Sequence, residues 1–533
     1  MASRPFISKQ KPLPLFLLLL CLAITLLIHT TTTSLRLDHH VQPVTTALNL
    51  LATEAPVWYD RLRSMIKNRS DKLKLGLVNT GANDIQVDGF ADVTTVNFER
   101  VRGDVKWEDL FPEWVDQDGK WGPMKCPELP MPQSYEKVDV VVARVPHGGR
   151  DVGKLQLNLV VANVLVNSGW EDGGDHREVY VVFIGWSGPM WEIFRCDDMI
   201  LKEDDYRIYK PDLKRLRQMV NMPVGSCNIP SLQPPGQLPS NTYNSREAYV
   251  TVLHSSETYV CGAIALAQSI LQTNSTKDLL LLADDSISPK SLRGLKAAGW
   301  KIKHIERIRS PRAKKAAYNE YNYSKLRIWQ LIEYDKVIFI DADLIVLKNL
   351  DEFFNYPQLS AVGNDKYIFN SGVIVVEPSE CMFNGLMEKR FTFESYNGGD
   401  QGFLNEAFTW WHRFHSKVNH LKVFEGTNNP RREIPENVHT VHYLGLKPWM
   451  CYKDYDCNWD MKDHRRYASD SAHKRWWEVY DKMPSNLRSF CGLTKQMDAR
   501  IRKWRGIAKG EGSKDGHWKV KVKDRRQSLH MIL

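Results

Sequence analysis

Several absences narrow this chain of 533 residues before anything present in it is read. No Gly-x-Gly-x-x-Gly follows the first strand of its α/β repeat, which argues against a dinucleotide-binding dehydrogenase and leaves a nucleotide on an α/β sheet open. None of its nine cysteines stands in paired C-x-x-C spacing, so a zinc site is discounted. Beyond the apolar run at Leu13 to Ile28, no segment is long and apolar enough to cross a bilayer, so a single span is expected at most. The formal net charge of +9 comes without a recognised nucleic-acid-binding motif, and nucleic acid is rejected as the main partner. A hydrophobic content of 43% with 25% charged residues leaves room for more than one packed core.

What is present begins with Lys336 to Leu347, KVIFIDADLIVL. Val337 to Ile340 are the β-branched and aromatic residues of a fully buried strand, and the run ends in two carboxylates, Asp341 and Asp343, one small residue (Ala342) apart. Ligands of open α/β sheets bind outside the carboxyl ends of such strands. A D-x-D there can hold Mg²⁺ or Mn²⁺, hard cations that keep positions for water and phosphate oxygens. Alone, so short a motif is better read as an aspartate capping a loop.

The flanking sequence supplies the context. From Ala248 it reads as strand (248–253), helix (258–271), strand (279–283), helix (288–298) and strand (301–305). Val260, Ile264, Ala267 and Leu271 recur at helical spacing; Ser288, Pro289 and Gly299 bracket the second helix as N-cap, first turn and stop. Such alternation predicts a parallel sheet. A further helix, Ser324 to Tyr334, is expected to place Lys325 just upstream of the carboxylates. Downstream lie Asn370-Ser371-Gly372, Asn397-Gly398-Gly399-Asp400-Gln401 and the string His442, Tyr443, Leu444, Gly445, Leu446, Lys447. Each glycine-bearing string also fits an ordinary turn.

Taken in order, these strings resemble glycosyltransferase family 8, the glycogenin-like retaining enzymes, over about Ala248 to Tyr455. The resemblance implies an α/β fold with a Rossmann-like, GT-A type nucleotide-sugar domain. It implies Asp341, Asp343 and His442 as ligands of Mn²⁺, with Mg²⁺ the second choice, and Lys325 and Lys447 as donor-contacting bases. Asn370 to Gly372, Asn397 to Gln401 and Tyr443 to Leu446 would line the sugar side, and Lys325, Asp400 and Gln401 are the catalytic candidates. The chemistry is consistent: two carboxylates and a neutral imidazole offset most of a divalent charge, and two ammonium groups stabilise a departing diphosphate. A covalent enzyme nucleophile and same-face departure and attack both remain open.

Within that family, NGGDQGFLNEAFTWWHR and HYLGLKPW are similar to the plant branch that substitutes xylan with glucuronic acid. This implies UDP-glucuronate as donor, xylan as acceptor through α-1,2 branches, and a place beside xylan-synthesising enzymes in the Golgi. A glycogenin-like initiation enzyme and a catalytically silent polysaccharide-binding protein are the alternatives. The expected organisation is a cytoplasmic tail (1–12), a signal-anchor helix (13–33) and a stem (34–60). An N-terminal α/β region of unassigned role (61–222), a Pro-rich linker (223–245), the GT-A domain (246–460) and a basic C-terminal region (461–533) follow. Basic residues before the apolar run, and no A-x-A-like site after it, favour a single-pass anchor with a lumenal body.

Lumenal placement suits the sequons at Asn68, Asn274 and Asn322, the last expected to be bare because it adjoins Lys325. With Cys21 in the apolar run, eight cysteines are free to pair, and Cys451, Cys457 and Cys491 are the prime candidates near the catalytic region. A uronate donor requires a cation, for which Arg327, Arg413, Arg431 and Arg432 are candidates. Trp410, Trp411, Tyr443 and Trp449 are candidates for stacking on acceptor rings, with at most one of the adjacent tryptophans, read as helical, facing a groove.

Overall fold

The computed structural model describes residues 55–66, 72–87, 89–112, 126–171, 176–203, 205–227, 245–365, 368–424 and 432–527. The expected tail, anchor and most of the stem and linker lie outside these, as do Asn68 and Arg431. Among the described residues, no helix is long and apolar enough to cross a membrane.

The N-terminal region is built on β1 (Lys74–Val78), β2 (Asp92–Thr95), β3 (Val140–Ala143), β4 (Tyr180–Ile184), β5 (Met199–Lys202) and β6 (Tyr206–Tyr209), in sheet order β2-β1-β3-β4-β6-β5. The first four run parallel; β6 is antiparallel to β4, and β5 is antiparallel to β6. The helix α1 (Val152–Gly169) lies against this sheet and is buried nearly all round, so its apolar residues show little helical stripe. Asp151 starts it, its side chain accepting the Lys154 amide at 2.5 Å.

The second sheet holds β7 (Glu247–Leu253), β8 (Asp278–Ala283), β9 (Lys301–His304), β10 (Lys336–Ile340), β12 (Ser360–Asp365), β13 (Ile368–Val376) and β14 (His412–Phe414), ordered β14-β12-β13-β10-β7-β8-β9. The expected βαβαβ unit forms with α2 (Val260–Leu271) and α3 (Pro289–Ala297), and β7, β8, β9 and β10 are parallel. Ser288 caps α3 and Gly299 stops it at φ +114°, a conformation that costs glycine least. The sheet is mixed rather than purely parallel, because β13 runs antiparallel to β10. A third small sheet, β11 (Leu344–Val346), β16 (Thr440–His442) and β15 (His420–Leu421), stands beside it.

Two expectations are corrected here. The segment read as a helix at 324–334 is a 3₁₀ helix, Asn322–Gln330. Trp410 and Trp411 follow a helix rather than lying on one, and both are buried, as are Tyr443 and Trp449. Trp411 packs on Phe111 of the N-terminal region, ring centroids 6.0 Å apart, and Trp449 on Trp476 at 5.7 Å. These aromatics are core, and burying each contributes on the order of 2–3 kcal/mol rather than a platform for sugar.

All eight candidate cysteines pair: Cys126–Cys227, Cys196–Cys381, Cys261–Cys491 and Cys451–Cys457. The Cys196–Cys381 bridge fastens the N-terminal region to the helix Glu380–Lys389 that follows β13, beside a buried Arg195–Glu377 ion pair of 2.9 Å. The C-terminal region also packs inward: buried Arg526 donates to the carbonyls of Trp449 (3.0 Å) and Cys491 (3.1 Å).

Candidate active site

Backbone pairing alone assembles the carboxylate–imidazole cluster. At the end of β10 the Asp341 amide donates to Gly372 O on β13 at 2.9 Å, and the chain turns through Ala342 into β11. There Leu344 pairs with His442 of β16, and the Tyr443 amide donates to Asp343 O at 3.0 Å. One atom each from Asp341, Asp343 and His442 lie within 4.8 Å of one another, and His442 Nε2 stands 3.3 Å from Asp343 Oδ1. Two hard oxygen donors and one imidazole fit a Mg²⁺- or Mn²⁺-type cation.

The supporting shell fixes the histidine. His442 Nδ1 faces Asn419 Oδ1 at 3.2 Å, and the Asn419 amide in turn donates to Asn370 Oδ1 at 2.8 Å. With Nδ1 as donor, the Nε2 lone pair is left for the cation. Asn370 Oδ1 also accepts the Gly372 amide at 2.9 Å. Asn370 thus braces the ligand rather than standing free in the cleft.

A cation flanks the cluster on each side. Lys447 Nζ lies 2.6 Å from Asp343 Oδ2, donates to Tyr443 O at 2.6 Å and stands over the Tyr259 ring. Lys325 Nζ lies 3.2 Å from Asp341 and 2.5 Å from Asp400, and donates to Ser371 O at 3.1 Å. Burial opposes both ammonium groups, yet the carboxylates outweigh it and hold both pKa values above the ordinary lysine range. The two aspartates part company. Burial and its acidic neighbours raise Asp341 despite Lys325, whereas Lys447 and His442 overcome burial at Asp343 and hold it well below the usual carboxylate range.

Asp400 and Gln401 open α4 (Asp400–Ala407). Burial would raise the Asp400 pKa, but Lys325 and the Ser371 hydroxyl, donating at 2.8 Å, bring it below the ordinary value. Gln401 Oε1 accepts the Ser371 amide at 3.2 Å and its Nε2 donates to the Tyr396 hydroxyl at 2.5 Å. Asn397 turns its side chain inward, accepting the amides of Gly399 (2.9 Å) and Gly402 (3.2 Å). Gly398 sits at φ +69°, and its carbonyl accepts from Ser310.

The HYLGLK string divides in the same way. His442 and Lys447 face the cluster, while the Tyr443 hydroxyl donates to Ala472 O at 2.8 Å, away from it. Asn458 clamps Leu446 through both its amide and carbonyl, at 2.8 and 2.9 Å, with Gly445 at φ +77° between. Leu444 is half-buried. Three of the arginine candidates are engaged elsewhere: Arg413 on Ser226, Arg327 on Glu306 O and Gln330, and Arg432 on Arg465 O and the Trp459 ring.

Three groups beside the cluster were not singled out from the sequence: Asn419, Tyr259 and Tyr396. The Asn322 side-chain amide donates to Asp400 Oδ1 at 3.3 Å. Tyr396 is 60% exposed and touches Gln401, so exposed aromatic surface does exist here, on a residue outside the tryptophan-rich string.

Residues 48–227 match the GUX1-5 N-terminal domain, and residues 250–359 match glycosyl transferase family 8. The chain is 50% identical over 503 residues to the putative UDP-glucuronate:xylan alpha-glucuronosyltransferase 5 of Arabidopsis thaliana, covering 89% of this chain and 88% of that one. It is 48% identical over 516 residues to UDP-glucuronate:xylan alpha-glucuronosyltransferase 2 of the same plant, covering 91% and 86%. Inositol phosphorylceramide glucuronosyltransferase 1 of Arabidopsis thaliana is 41% identical over 238 residues, 39% of this chain and 43% of that one. With both regions matched and the likeness running through nearly the whole length, the chain belongs to the UDP-glucuronate:xylan alpha-glucuronosyltransferases of glycosyltransferase family 8.

Proposed function

We propose that the protein transfers glucuronic acid from UDP-glucuronate onto the xylan backbone, forming α-1,2 branches with retention, from a single-pass anchor in the Golgi membrane with the catalytic domain in the lumen. The observation that carries the reaction is the layout of charge around Asp341, Asp343 and His442. Lys447 stands on one side of this cluster, and the Lys325–Asp400 pair on the other. This separates a cationic diphosphate end from a polar sugar end.

Mn²⁺ fits the three ligands, and when bound it would act as a Lewis acid on the leaving diphosphate. Lys447 adds positive charge beside that group as it departs. Lys325 and Asp400, locked by Ser371 and Asn322, hold fixed donors and acceptors for sugar hydroxyls. Gln401, with its amide on Tyr396, is placed to support charge at the reacting carbon. The four disulfides agree with an oxidising lumen.

The test is transfer by the purified full chain to xylo-oligosaccharides from UDP-glucuronate, UDP-xylose, UDP-galactose and UDP-glucose, with and without Mn²⁺, beside Asp343→Ala. Mn²⁺-dependent transfer selective for UDP-glucuronate and lost in the variant is expected. Selective use of another donor would overturn the sugar assignment and keep the metal argument. Binding of xylan without transfer from any donor would favour a silent polysaccharide-binding role.

A further inference from the structure

The N-terminal sheet contributes no group to the cluster described above, yet it has the feature by which α/β sheets bind ligands. The strands on either side of β1 are β2 and β3, so the chain order reverses there, and the carboxyl ends at such a reversal are where open α/β sheets bind ligands. Three loops meet at that edge. After β1, Asn79 takes φ +56°, donates to Arg144 O at 2.6 Å and accepts from the Arg100 guanidinium at 2.5 Å. After β3, the chain from Arg144 to Arg150 is exposed apart from Val145, and Pro146 O accepts from Ser187 at 2.7 Å. After β4, Gly185 at φ +97° leads into Trp186, 73% exposed, whose carbonyl accepts from Arg207 at 3.3 Å.

Single exposed apolar residues are ordinary on protein surfaces; the surroundings of this indole decide its reading. Hydrogen bonds tie the three loops together: Arg100 to Asn79, Asn79 to the Arg144 carbonyl, Ser187 to the Pro146 carbonyl and Arg207 to the Trp186 carbonyl. The exposed Trp186 therefore shares this loop edge with the exposed Arg100 and Arg144 and with Arg207, whose guanidinium donates to the Gly185 and Trp186 carbonyls. A nucleotide is the poorer occupant. The loop after β1 is not glycine-rich, and the helix that follows, Ala82–Ile85, is only four residues long. The edge is also fixed relative to the transfer site. Arg150, ending the second loop, pairs with Glu406 at 2.8 Å in the last turn of α4, and Asp400 and Gln401 open that same helix. Eight residues of helix span roughly 12 Å.

We infer that this edge is a second binding surface for the acceptor polymer. Trp186 stacks on the apolar face of a backbone sugar ring, and Arg100, Arg144 and Arg207 attract the carboxylates of uronate branches already placed. The surface keeps a long acceptor chain beside the site between transfers. The identity of the polymer rests on the function proposed above; the surface itself does not.

The test compares the full chain with Trp186→Ala and Arg144→Gln, both at exposed positions. Retardation is measured in gels containing unsubstituted xylan, glucuronoxylan or a neutral glucan, and initial rates are taken on xylotriose and on polymeric xylan. Trp186→Ala is expected to weaken binding to both xylans about tenfold and to raise KM on the polymer similarly, with xylotriose turnover unchanged. Arg144→Gln is expected to weaken glucuronoxylan binding alone. Equal retardation of Trp186→Ala and the parent overturns the inference and leaves the transfer reading intact. A parent chain retarded by none of these polymers overturns it as well. If the parent binds xylan but transfers no glucuronate, the transfer reading fails, and the gels still decide for or against this surface.

Discussion

Asn419 holds His442 by its Nδ1 atom, 3.2 Å away, and is itself held by Asn370 at 2.8 Å. Because the Asn419 amide nitrogen is spent on Asn370, its oxygen faces the ring and fixes Nδ1 as the protonated nitrogen. Asn419→Ala is therefore expected to raise the Mn²⁺ concentration needed for half-maximal transfer by about 10- to 100-fold, with thermal stability nearly kept. Asn419→Asp, which retains an acceptor, is expected to recover most of the affinity. Metal titrations with identical midpoints in the parent and Asn419→Ala would show that the ring needs no such support.

The Lys325–Asp400 pair is buried on both sides at 2.5 Å, so its members are worth more together than apart. Lys325→Met leaves Asp400 charged and uncompensated, at a cost of about 3–5 kcal/mol. Adding Asp400→Asn removes that charge and should restore roughly half of the loss or more, while transfer stays abolished in both variants. Denaturant unfolding of the two variants checks this. Additive destabilisation would mean that the pair is not coupled in the fold.

The legible part of the fold was the part written in local pattern. Ser288, Pro289 and Gly299 bracket α3, and the apolar run into Asp341 marks β10 without reference to anything distant. Residues 324–334 read as a helix, whereas the structure forms a 3₁₀ segment over Asn322–Gln330, because repeats of 3.0 and 3.6 separate little over so short a stretch. In the site, Asp341, Asp343 and His442 stood in recognisable strings, while Asn419 lies alone before the two-residue strand β15, with no local signal of its contact. Trp410 and Trp411 looked like a sugar platform because their burial depends on Phe111 and Val224, roughly 200 to 300 residues earlier. Cys451, Cys457 and Cys491 were legible as candidates, but not that Cys491 pairs with Cys261 across a sequence separation of 230.

His412, on β14, supplies a pH prediction. Its ring is buried against Trp410, with neither nitrogen hydrogen-bonded among the described residues, and burial pushes its pKa down to about 3. In the unfolded chain the imidazole titrates near ~6.5. Between these values the unfolded state binds a proton that the native state refuses, so stability falls as pH falls, by about 1.4 kcal/mol per pH unit from this group. The stability advantage of the parent over His412→Leu should therefore shrink at that rate between about pH 5.5 and 4. A difference that stays constant over this interval would mean that His412 is hydrated or partnered in the native state.

Gly372 tests whether the imidazole position itself matters. A Cβ on this residue would lie 2.6 Å from His442 Cε1 and 2.8 Å from both His442 Nδ1 and Asn370 Oδ1, closer than such atoms tolerate. The obstruction falls on the metal ligand and its brace together, and neither can yield without breaking the chain from Asn370 through Asn419 to His442. Gly372→Ala is expected to cost about 1–3 kcal/mol of stability by overpacking, and to lower transfer at saturating UDP-glucuronate by a hundredfold or more unless Mn²⁺ is raised. Gly506→Ala on the C-terminal helix Lys495–Gly510, where a Cβ meets nothing within 4 Å, is the control. It should leave transfer unchanged and gain about 0.5–1 kcal/mol from helix propensity. Normal metal response in Gly372→Ala would place His442 outside the ligand set and leave the two aspartates to hold the cation.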